Sequence, residues 1–465
     1  MLFNSLEYLF FFLPLVLALF YILRNTVSYR AAKLWLVFAS FAFYSYWKPE
    51  HLPLILASIC INFSFAKGLC SAKLRPAARK LLFLTGCAFN LLLLCYFKYL
   101  GFILENIPLT TDLSSFSKII LPLGISFFTF QQIAYLADCY ASPSEEYSFS
   151  DYCLFIAFFP QLIAGPIVHH KEMMPQFEDS SASQTLWTNM YSGLFFLSLG
   201  LVKKLGIADS FATIANAGYS APDSLNFLTA WGTSLSYTIQ LYCDFSGYTD
   251  MAIGSALLFG IRLPINFNSP YASLDIQDFW RRWHITLGRF LRDYIYIPLG
   301  GSRKGFTRTL CNLFLTFLIG GLWHGAGWTF ILWGAMHGAA LVIHRIWKAA
   351  GHTMPKACAW LVTFFFVHCA WVIFRAPTVQ DAFTVLHKMI LPTDIHLAPL
   401  SSAQLWILPA LLYVLFDTFF KNSQRLEHKL SPRLLNTAVI LVLFWCGAGF
   451  LLQQNHFSEF LYFQF

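Results

Sequence analysis

Long apolar segments recur along almost the whole chain and are separated by short polar turns. They lie at roughly 8–23, 34–47, 52–66, 81–97, 119–137, 151–164, 187–202, 225–242, 250–261, 310–322, 328–343, 358–374, 404–420 and 436–452. Segments of about 17 residues or more can cross a bilayer as helices, whereas shorter ones need tilt, burial within the protein or a re-entrant path. The pattern predicts an all-α polytopic membrane protein with about ten or eleven transmembrane helices plus re-entrant and interfacial helices.

Composition supports this fold class. Of the 465 residues, 57% are hydrophobic and 12% are charged, whereas about a quarter are charged in soluble domains. The net charge of +8 lies mainly in loops, which fits anionic lipid headgroups better than nucleic acid. The eleven cysteines include no Cys-x-x-Cys pair, so neither a disulfide framework nor a thiolate metal site is indicated.

Basic residues alternate between successive turns. Arg24, Arg30 and Lys33 follow the first apolar segment, and a second basic turn spans 67–80. By the positive-inside rule, this alternation predicts that the N-terminus lies outside. A basic loop at 421–433 then leaves the C-terminal QNHFSEFLYFQF outside as well.

No linker or low-complexity segment divides the chain, so the sequence predicts a single membrane domain over 1–465. It comprises N-terminal helices at 1–140, a middle at 141–350 and C-terminal helices at 351–465. In the middle, Pro, Gly and charged residues interrupt the apolar segments. Broken helices survive at membrane depth only where protein or a water-filled cavity satisfies the backbone, so we expect the functional site there.

Residues 154–176, LFIAFFPQLIAGPIVHHKEMMPQ, contain Pro160, Gly165 and Pro166 inside an apolar segment. They indicate a kinked or re-entrant element, or alternatively a loop that caps a span. The segment ends at His169 and His170. Because neighbouring side chains on a helix point apart, this pair is not expected to bind a metal.

Asp244 and Asp250 lie in or beside an apolar segment. A carboxylate at membrane depth is costly and is a functional candidate by default. The alternative is that both accept hydrogen bonds and hold helices together.

Residues 279–305 carry an amphipathic helical pattern. Trp280, Trp283, Leu287 and Phe290 fall on one side, together with His284. The other side carries the four basic residues Arg281, Arg282, Arg289 and Arg292. This pattern predicts one helix lying along the membrane interface, with His284 either a hydrogen-bonded buried group or part of a site.

The segment GGLWHGAGW, residues 320–328, separates two short apolar segments at 310–322 and 328–343. Together they predict a hairpin whose tip buries His324 within the bilayer. Glycine there permits positive φ and close backbone approach to a ligand, and tryptophan can line a cavity. A buried neutral imidazole suits general-base catalysis, although His324 could instead bond to a carbonyl.

His337 lies in similar apolar surroundings. A metal site formed by His284, His324 and His337 is conceivable, but no short ligand spacing supports it, so no metal is expected. Phosphate-binding glycine motifs are also missing from the sequence.

Several segments in chain order resemble the membrane-bound O-acyltransferase superfamily, and within it the bacterial alginate O-acetylation type. They are FFPQLIAGPI, YCDFSGYTDMAIGSALLFGI, NFNSPY, DFWRRWHITLGRFLRDYIYIPLGGSRKG, GLWHGAGWTFILWGAMHG, AWVIFRAPT and the ending FLYFQF. The resemblance implies a multi-helix fold around a tunnel in the inner membrane. It also implies acetyl transfer from cytoplasmic acetyl-CoA to a hydroxyl of an extracytoplasmic polysaccharide such as alginate, with no tightly bound cofactor.

By position, His324 matches the principal catalytic histidine of the family, and His284 matches a second histidine of its bacterial branch. The resemblance further implies periplasmic acetyltransferase partners. The basic side of 279–305 could attract coenzyme A phosphates, or it could serve topology and lipid binding.

Alternative acceptors within the superfamily are peptidoglycan, cellulose and teichoic acid. A proton-coupled transporter or flippase using Asp244, Asp250 and His324 is the alternative from another functional class.

Overall fold

The structure, a computed structural model, describes residues 1–71, 73–107, 120–142, 147–163, 165–178, 186–392, 407–419, 422–453 and 459–461. All regular secondary structure in these ranges is helical, which confirms the predicted fold class. Most of the C-terminal segment predicted to lie outside the membrane, and Lys421 of the last basic loop, fall outside the described residues.

Seven helices in the described ranges are long and apolar enough to cross a membrane, which confirms a multi-pass protein. They are Glu7–Thr26, Pro49–Cys70, Pro76–Asn106, Phe306–His324, Trp328–Ala349, Lys356–Arg375 and Leu434–Gln453. The sequence predicts ten or eleven. Among the others, Tyr29–Ser45 has only 17 residues, and Phe227–Leu258 buries many polar side chains along its length.

The chain divides into two compact units. The first comprises 1–197 and 251–264, and the second comprises 198–250 and 265–465. The α-helices that begin in the first unit are α1 (Leu13–Thr26), α2 (Tyr29–Ser45), α3 (Leu52–Cys70), α4 (Pro76–Leu94), α5 (Leu100–Asn106), α6 (Ile125–Ala141), α7 (Phe149–Ala157), α8 (Phe159–Leu162), α9 (His170–Glu178) and α10 (Leu186–Leu201).

The α-helices that begin in the second unit are α11 (Asp209–Ser220), α12 (Phe227–Leu258), α13 (Ile276–Trp280), α14 (Ile285–Leu291), α15 (Phe306–His324), α16 (Trp328–Ala349), α17 (Lys356–Arg375), α18 (Val379–Ile390), α19 (Ile407–Phe419), α20 (Ser423–Glu427) and α21 (Leu434–Gln453). Wider π-helical turns at Val202–Ala208 and Arg292–Tyr296 follow α10 and α14 directly.

The interrupted segment 154–176 is a buried, broken helical element of the first unit. Helix α7 stops at Ala157, and the four-residue α8 restarts with Pro160 in its first turn. All residues from Asp151 to Ile163 are buried. A Cβ on Gly165 would lie 2.5 Å from the Gln161 Cα, so only glycine fits there. The structure therefore favours the kinked element over a capping loop.

Candidate active site

The GGLWHGAGW segment joins the antiparallel helices α15 and α16. These helices have 19 and 22 residues, so they are about 28 and 33 Å long. Both helices fall within the range of about 17–25 residues that can span a bilayer, and both are apolar enough to cross a membrane. The sequence predicts that the two helices of this hairpin are short, and this prediction is wrong. Helix α15 begins at Phe306 and continues through the buried polar residues Thr309 and Asn312.

Glycines at this hairpin allow the two helices to pack closely. A Cβ on Gly321 would lie 2.4 Å from the Phe330 carbonyl oxygen and 2.7 Å from the Gly334 Cα. Gly325 and Gly327 are extended, with φ of −161° and −171°. None of the glycines in this segment has a positive φ. The suggestion that they supply positive φ is therefore wrong, and helix contact explains Gly321.

Replacing Gly321 by alanine is expected to lower the free energy of unfolding by about 1–3 kcal/mol, because the new methyl group has no space. Gly232→Ala on α12 is the matched control, since a Cβ there meets nothing within 4 Å. Thermal unfolding of both variants in detergent measures the difference. Equal unfolding temperatures for the two would contradict the packing role of Gly321.

His324, the last residue of α15, is enclosed by aromatic rings. Its imidazole lies 5.0 Å from the Trp323 ring, 5.0 Å from Trp333 and 5.3 Å from Phe374, measured between centroids. The residue is 4% exposed. Trp328, which was expected to line the same cavity, is 58% exposed. Trp323 of this segment therefore packs against His324, and α16 and α17 supply the Trp333 and Phe374 rings.

His284 lies where helical structure is interrupted between two helices, and it is fully buried. The predicted single helix is wrong, because α13 ends at Trp280 and α14 begins at Ile285. Tertiary hydrogen bonds to 266–268 replace the helical ones. The Asn268 N–H donates to the Arg282 carbonyl at 2.9 Å, and the Ile285 N–H donates to the Asn266 carbonyl at 3.0 Å.

The backbone of His284 is left-handed, with φ 44° and ψ 53°. This conformation costs a non-glycine residue about 1–2 kcal/mol and occurs often at functional sites. The predicted amphipathic pattern itself holds. Trp280, Trp283, Leu287 and Phe290 are all buried.

Asn266 fixes the tautomer of His284. The Asn266 Oδ1 accepts hydrogen bonds from the Thr286 N–H at 3.2 Å and from the Thr286 hydroxyl at 2.9 Å. This oxygen is also 3.2 Å from His284 Nδ1. Since the oxygen can only accept, Nδ1 must donate, and the lone pair lies on Nε2. Burial lowers the pKa of the His284 imidazole from 6.5 to about 3, so the ring is neutral at physiological pH.

The two candidate histidines share a neighbour in the second unit. The Trp323 ring lies 5.0 Å from His324 and 6.3 Å from His284. Phe245 packs edge-on against His284 at 4.8 Å. The structure thus gathers both sequence-predicted histidines into one aromatic cluster.

His337 orients aromatic rings of that cluster. Its Nδ1 accepts a hydrogen bond from the Trp280 indole at 3.2 Å, and its ring lies 4.6 Å from Trp333. With Nδ1 accepting, the proton of the neutral ring lies on Nε2, so the lone pair that a metal would need already accepts the Trp280 N–H. The described residues contain a group of His and Asp side chains spaced closely enough to bind a metal, but this group does not include His284, His324 or His337.

Two adjacent lysines in the π-helical turn Val202–Ala208 bind the buried carboxylates of α12. Lys203 Nζ lies 2.8 Å from Asp250, and Lys204 Nζ lies 2.5 Å from Asp244. The two aspartates are six residues apart, so they point about 120° apart on the helix. Of the two roles open for Asp244 and Asp250, these contacts favour the structural one.

Further polar groups, which the sequence did not single out, complete this network. Asp417 lies 3.8 Å from Lys203 Nζ and accepts a hydrogen bond from the Tyr242 hydroxyl. Asp209 lies 2.9 Å from Lys204 Nζ. The sequence feature that could have indicated this network is the pair of lysines directly after an apolar segment.

The described part of the C-terminal segment, 459–461, is anchored at the same network. The Leu461 N–H donates to Asp244 at 3.1 Å, and Lys204 donates to the Glu459 carbonyl at 3.1 Å. The Phe460 ring packs 5.5 Å from Phe245. Because Phe245 also contacts His284, residues 459–461 are linked to the aromatic cluster through Phe245.

A cavity of about 320 Å³ lies against α14, α15 and α16. Its lining residues are Gln277, Gly288, Leu291, Arg292, Tyr296, Ser302, Thr309, Leu313, Thr316, Phe317, Leu341, His344 and Arg345. Ligand pockets commonly have volumes of about 300–1,000 Å³. The cavity combines an apolar wall with two guanidinium groups.

Of the four predicted arginines, only Arg292 lines this cavity. Arg282 forms an ion pair with Asp278 at 2.9 Å, and Arg281 is exposed. Arg289 is half-buried. Arg345 lines the same cavity from α16, and sequence spacing could not indicate that these two arginines share a cavity.

The sequence of the chain is similar to those of several known proteins. The membrane-bound O-acyltransferase family pattern matches residues 41–377. The chain is 44% identical to a peptidoglycan O-acetyltransferase of Helicobacter pylori, over 100% of this chain and 98% of that protein. It is 38% identical to a probable alginate O-acetylase (AlgI) of Pseudomonas putida, over the whole of both chains.

A more distant relative is a teichoic acid D-alanyltransferase of Streptococcus thermophilus, 28% identical over 50% of this chain. The names of these three relatives all describe enzymes that transfer acyl groups. The residues that match the family pattern include the hairpin, both histidines and the arginines of the cavity. The chain therefore belongs to the membrane-bound O-acyltransferase family and is an O-acyltransferase.

Proposed function

We propose that this protein transfers acetyl groups from cytoplasmic acetyl-CoA to a hydroxyl of an extracytoplasmic cell-envelope glycan. It would act in the inner membrane with its N-terminus outside. Peptidoglycan is the first acceptor to test, because the relative of that name is 44% identical, against 38% for the alginate O-acetylase. Handing the acetyl group to a periplasmic partner acetyltransferase is the alternative route to the same glycan.

The observation that carries this proposal is the order of features along α15. The cavity with Arg292 and Arg345 reaches Thr309 and Phe317 on this helix. His324 lies seven residues beyond Phe317, which is about 10 Å along the axis. The positive-inside rule assigns the basic end to the cytoplasm. A donor entering there therefore directs its acyl end along α15 toward His324.

The reaction needs a base and an exclusion of water. His324 takes the proton of the acceptor hydroxyl as its oxygen attacks the thioester carbonyl. The tetrahedral intermediate then breaks its C–S bond, and the proton passes from the imidazolium to the leaving thiolate. The C-terminal end of α15 carries a partial negative charge that stabilises the imidazolium. The surrounding rings exclude water, which limits hydrolysis of the thioester.

His284 has a second role in this mechanism. Asn266 holds its proton on Nδ1, so its neutral Nε2 can accept a proton or hydrogen bond in the same cluster. We assign it to orienting His324 or the substrate, with Trp323 in contact with both rings.

Replacing both Arg292 and Arg345 by alanine is expected to raise the KM for acetyl-CoA about tenfold with little change in kcat. Arg292 Nε and Nη2 already donate to Asp293, at 2.7 and 3.1 Å. Its remaining N–H groups and the Arg345 guanidinium can donate charge-assisted hydrogen bonds to a phosphate. The matched control is Arg281→Ala, because Arg281 is exposed and does not line the cavity. Initial rates against acetyl-CoA concentration provide the measurement. An unchanged KM in the double variant would assign these arginines to topology and lipid binding instead.

The acceptor can be tested in cells that lack the gene. Base-labile acetate is measured separately in purified peptidoglycan and in secreted polysaccharide. We expect the acetate on peptidoglycan to fall and to return with the parent gene but not with His324→Ala. A loss confined to secreted polysaccharide would reassign the acceptor, and unchanged acetate in both fractions would refute glycan O-acetylation.

A further inference from the structure

Three potential metal ligands converge in the first unit, in a place that the acyl-transfer site does not use. The Asp138 Oδ2 lies 3.5 Å from His169 Nε2 and 3.3 Å from His170 Nδ1. All three ligand atoms lie within 4.8 Å of one another. The interpretation that His169 and His170 point apart is therefore wrong. Helix α9 begins only at His170, so His169 lies before it and is not bound by helical geometry.

These separations match those around a tetrahedral metal ion. Zinc binds imidazole nitrogen and carboxylate oxygen at about 2.0–2.1 Å. At the tetrahedral angle, two such ligand atoms are separated by about 3.3–3.4 Å. The two distances to Asp138 are therefore close to the edges of a zinc tetrahedron, and the third separation, between the two imidazole nitrogens, is at most 4.8 Å.

The surroundings hold two of the three ligands in place. The His170 ring is 2% exposed and contacts Tyr135 at 5.1 Å, Tyr147 at 6.2 Å and Phe155 at 6.4 Å. Asp138 lies one turn before the end of α6. The side chains of Asp138 and His169 are each about one-fifth exposed, so water can reach a fourth coordination position.

The position in the fold suggests what a metal would do. Asp138 belongs to α6, whereas the two histidines lie where the broken segment 154–176 enters α9. Directly after Asp138 on α6, the Cys139 carbonyl accepts a hydrogen bond from the Arg79 guanidinium at 2.8 Å. Arg79 belongs to the basic turn 67–80, so the positive-inside rule assigns the cluster to the cytoplasmic side.

We propose that Asp138, His169 and His170 bind one divalent transition metal ion of the zinc class, with water as the fourth ligand, and fasten α6 to the start of α9. Two imidazoles and one carboxylate are donors that favour zinc over magnesium or calcium, which prefer oxygen ligands. The ion crosslinks segments that are about thirty residues apart in the chain and stabilises the broken element between them.

Metal content of the purified full-length protein tests this site directly. The protein is prepared in detergent without a polyhistidine tag, equilibrated with ZnCl₂, freed of excess metal and analysed by mass spectrometry. We expect about one zinc per chain and a higher unfolding temperature with ZnCl₂ than with MgCl₂. Replacement by CoCl₂ is expected to give the intense visible absorption of four-coordinate cobalt.

The variants His169→Gln and Asp138→Asn are expected to lose the zinc, the cobalt absorption and the thermal shift. His387→Gln is the matched control, because His387 is exposed on α18. His169 is partly exposed, so its variant serves even if Asp138→Asn fails to fold. Less than about a tenth of a zinc per parent chain, or equal zinc in parent and His169→Gln, would overturn the proposal. None of these three readouts depends on acetyl transfer, so the proposed function stands or falls separately.

Discussion

Alanine at position 324 is expected to lower the rate of acetyl transfer by about 10²–10⁴-fold, the usual contribution of a general base. The loss should appear in kcat, because in the proposed mechanism the imidazole removes a proton only as the acceptor oxygen attacks. Binding of acetyl-CoA should change little, because the site proposed for the donor's phosphates is the separate cavity lined by Arg292 and Arg345. Transfer of labelled acetyl groups by membranes containing equal amounts of each protein provides the measurement.

A buried histidine elsewhere in the second unit separates catalysis from packing. His368 on α17 is 1% exposed, and its ring lies within hydrogen-bonding distance of the Ser234 and Thr238 hydroxyls, at 3.1 and 2.9 Å. Its ring stacks on Trp231 at 5.4 Å, and His368 lies six residues before Phe374 on α17, about 9 Å along the helix axis. His368→Gln should therefore keep its rate per folded molecule, whereas His324→Gln should lose it, although both replace an imidazole by an amide.

The opposite distribution of losses would change the assignment. If His324→Gln transferred acetyl groups at the parent rate while His284→Gln did not, His284 would be the base. The structure allows that chemistry, because Asn266 keeps the lone pair of His284 on Nε2. Full transfer by both variants would remove general-base catalysis by either histidine.

The sequence located both histidines but not the groups that position them. Asn266 lies 18 residues before His284, and Trp333 and Phe374 reach His324 from α16 and α17. Periodicity indicates which side of a helix is apolar, but it does not indicate which side chains meet between helices. The break before His284 follows from hydrogen bonds to 266–268, so local helix propensity could not predict it.

The membrane class was predictable because long apolar segments and few charges leave little choice of fold. Buried charges were only half predictable. Asp244 and Asp250 are conspicuous in apolar surroundings, whereas Lys203 and Lys204 follow an apolar segment, where lysines often extend their charge to the interface. Only the structure shows that they turn inward to Asp250 and Asp244.

Replacing Lys203 by methionine is expected to have the largest effect on stability, about 3–5 kcal/mol of unfolding free energy. The side chain is 1% exposed, and its ammonium lies between Asp250 at 2.8 Å and Asp417 at 3.8 Å. Methionine keeps most of the volume but leaves two buried carboxylates without their cation. Thermal unfolding in detergent and yield of folded protein report the loss.

An exposed ion pair supplies the matched comparison. Lys348 is 54% exposed and lies 3.8 Å from Asp275, so Lys348→Met should cost less than about 1 kcal/mol. Adding Asp250→Asn to Lys203→Met removes one of the two stranded charges and should recover part of the stability, because the amide can still accept from the Ser423 hydroxyl now 3.1 Å from Asp250. If Lys203→Met and Lys348→Met unfold at the same temperature, the buried lysine is not what holds α12 to the π-helical turn. If the double variant is no more stable than Lys203→Met, the cost arises from lost packing around the lysine stem rather than from unpaired carboxylates.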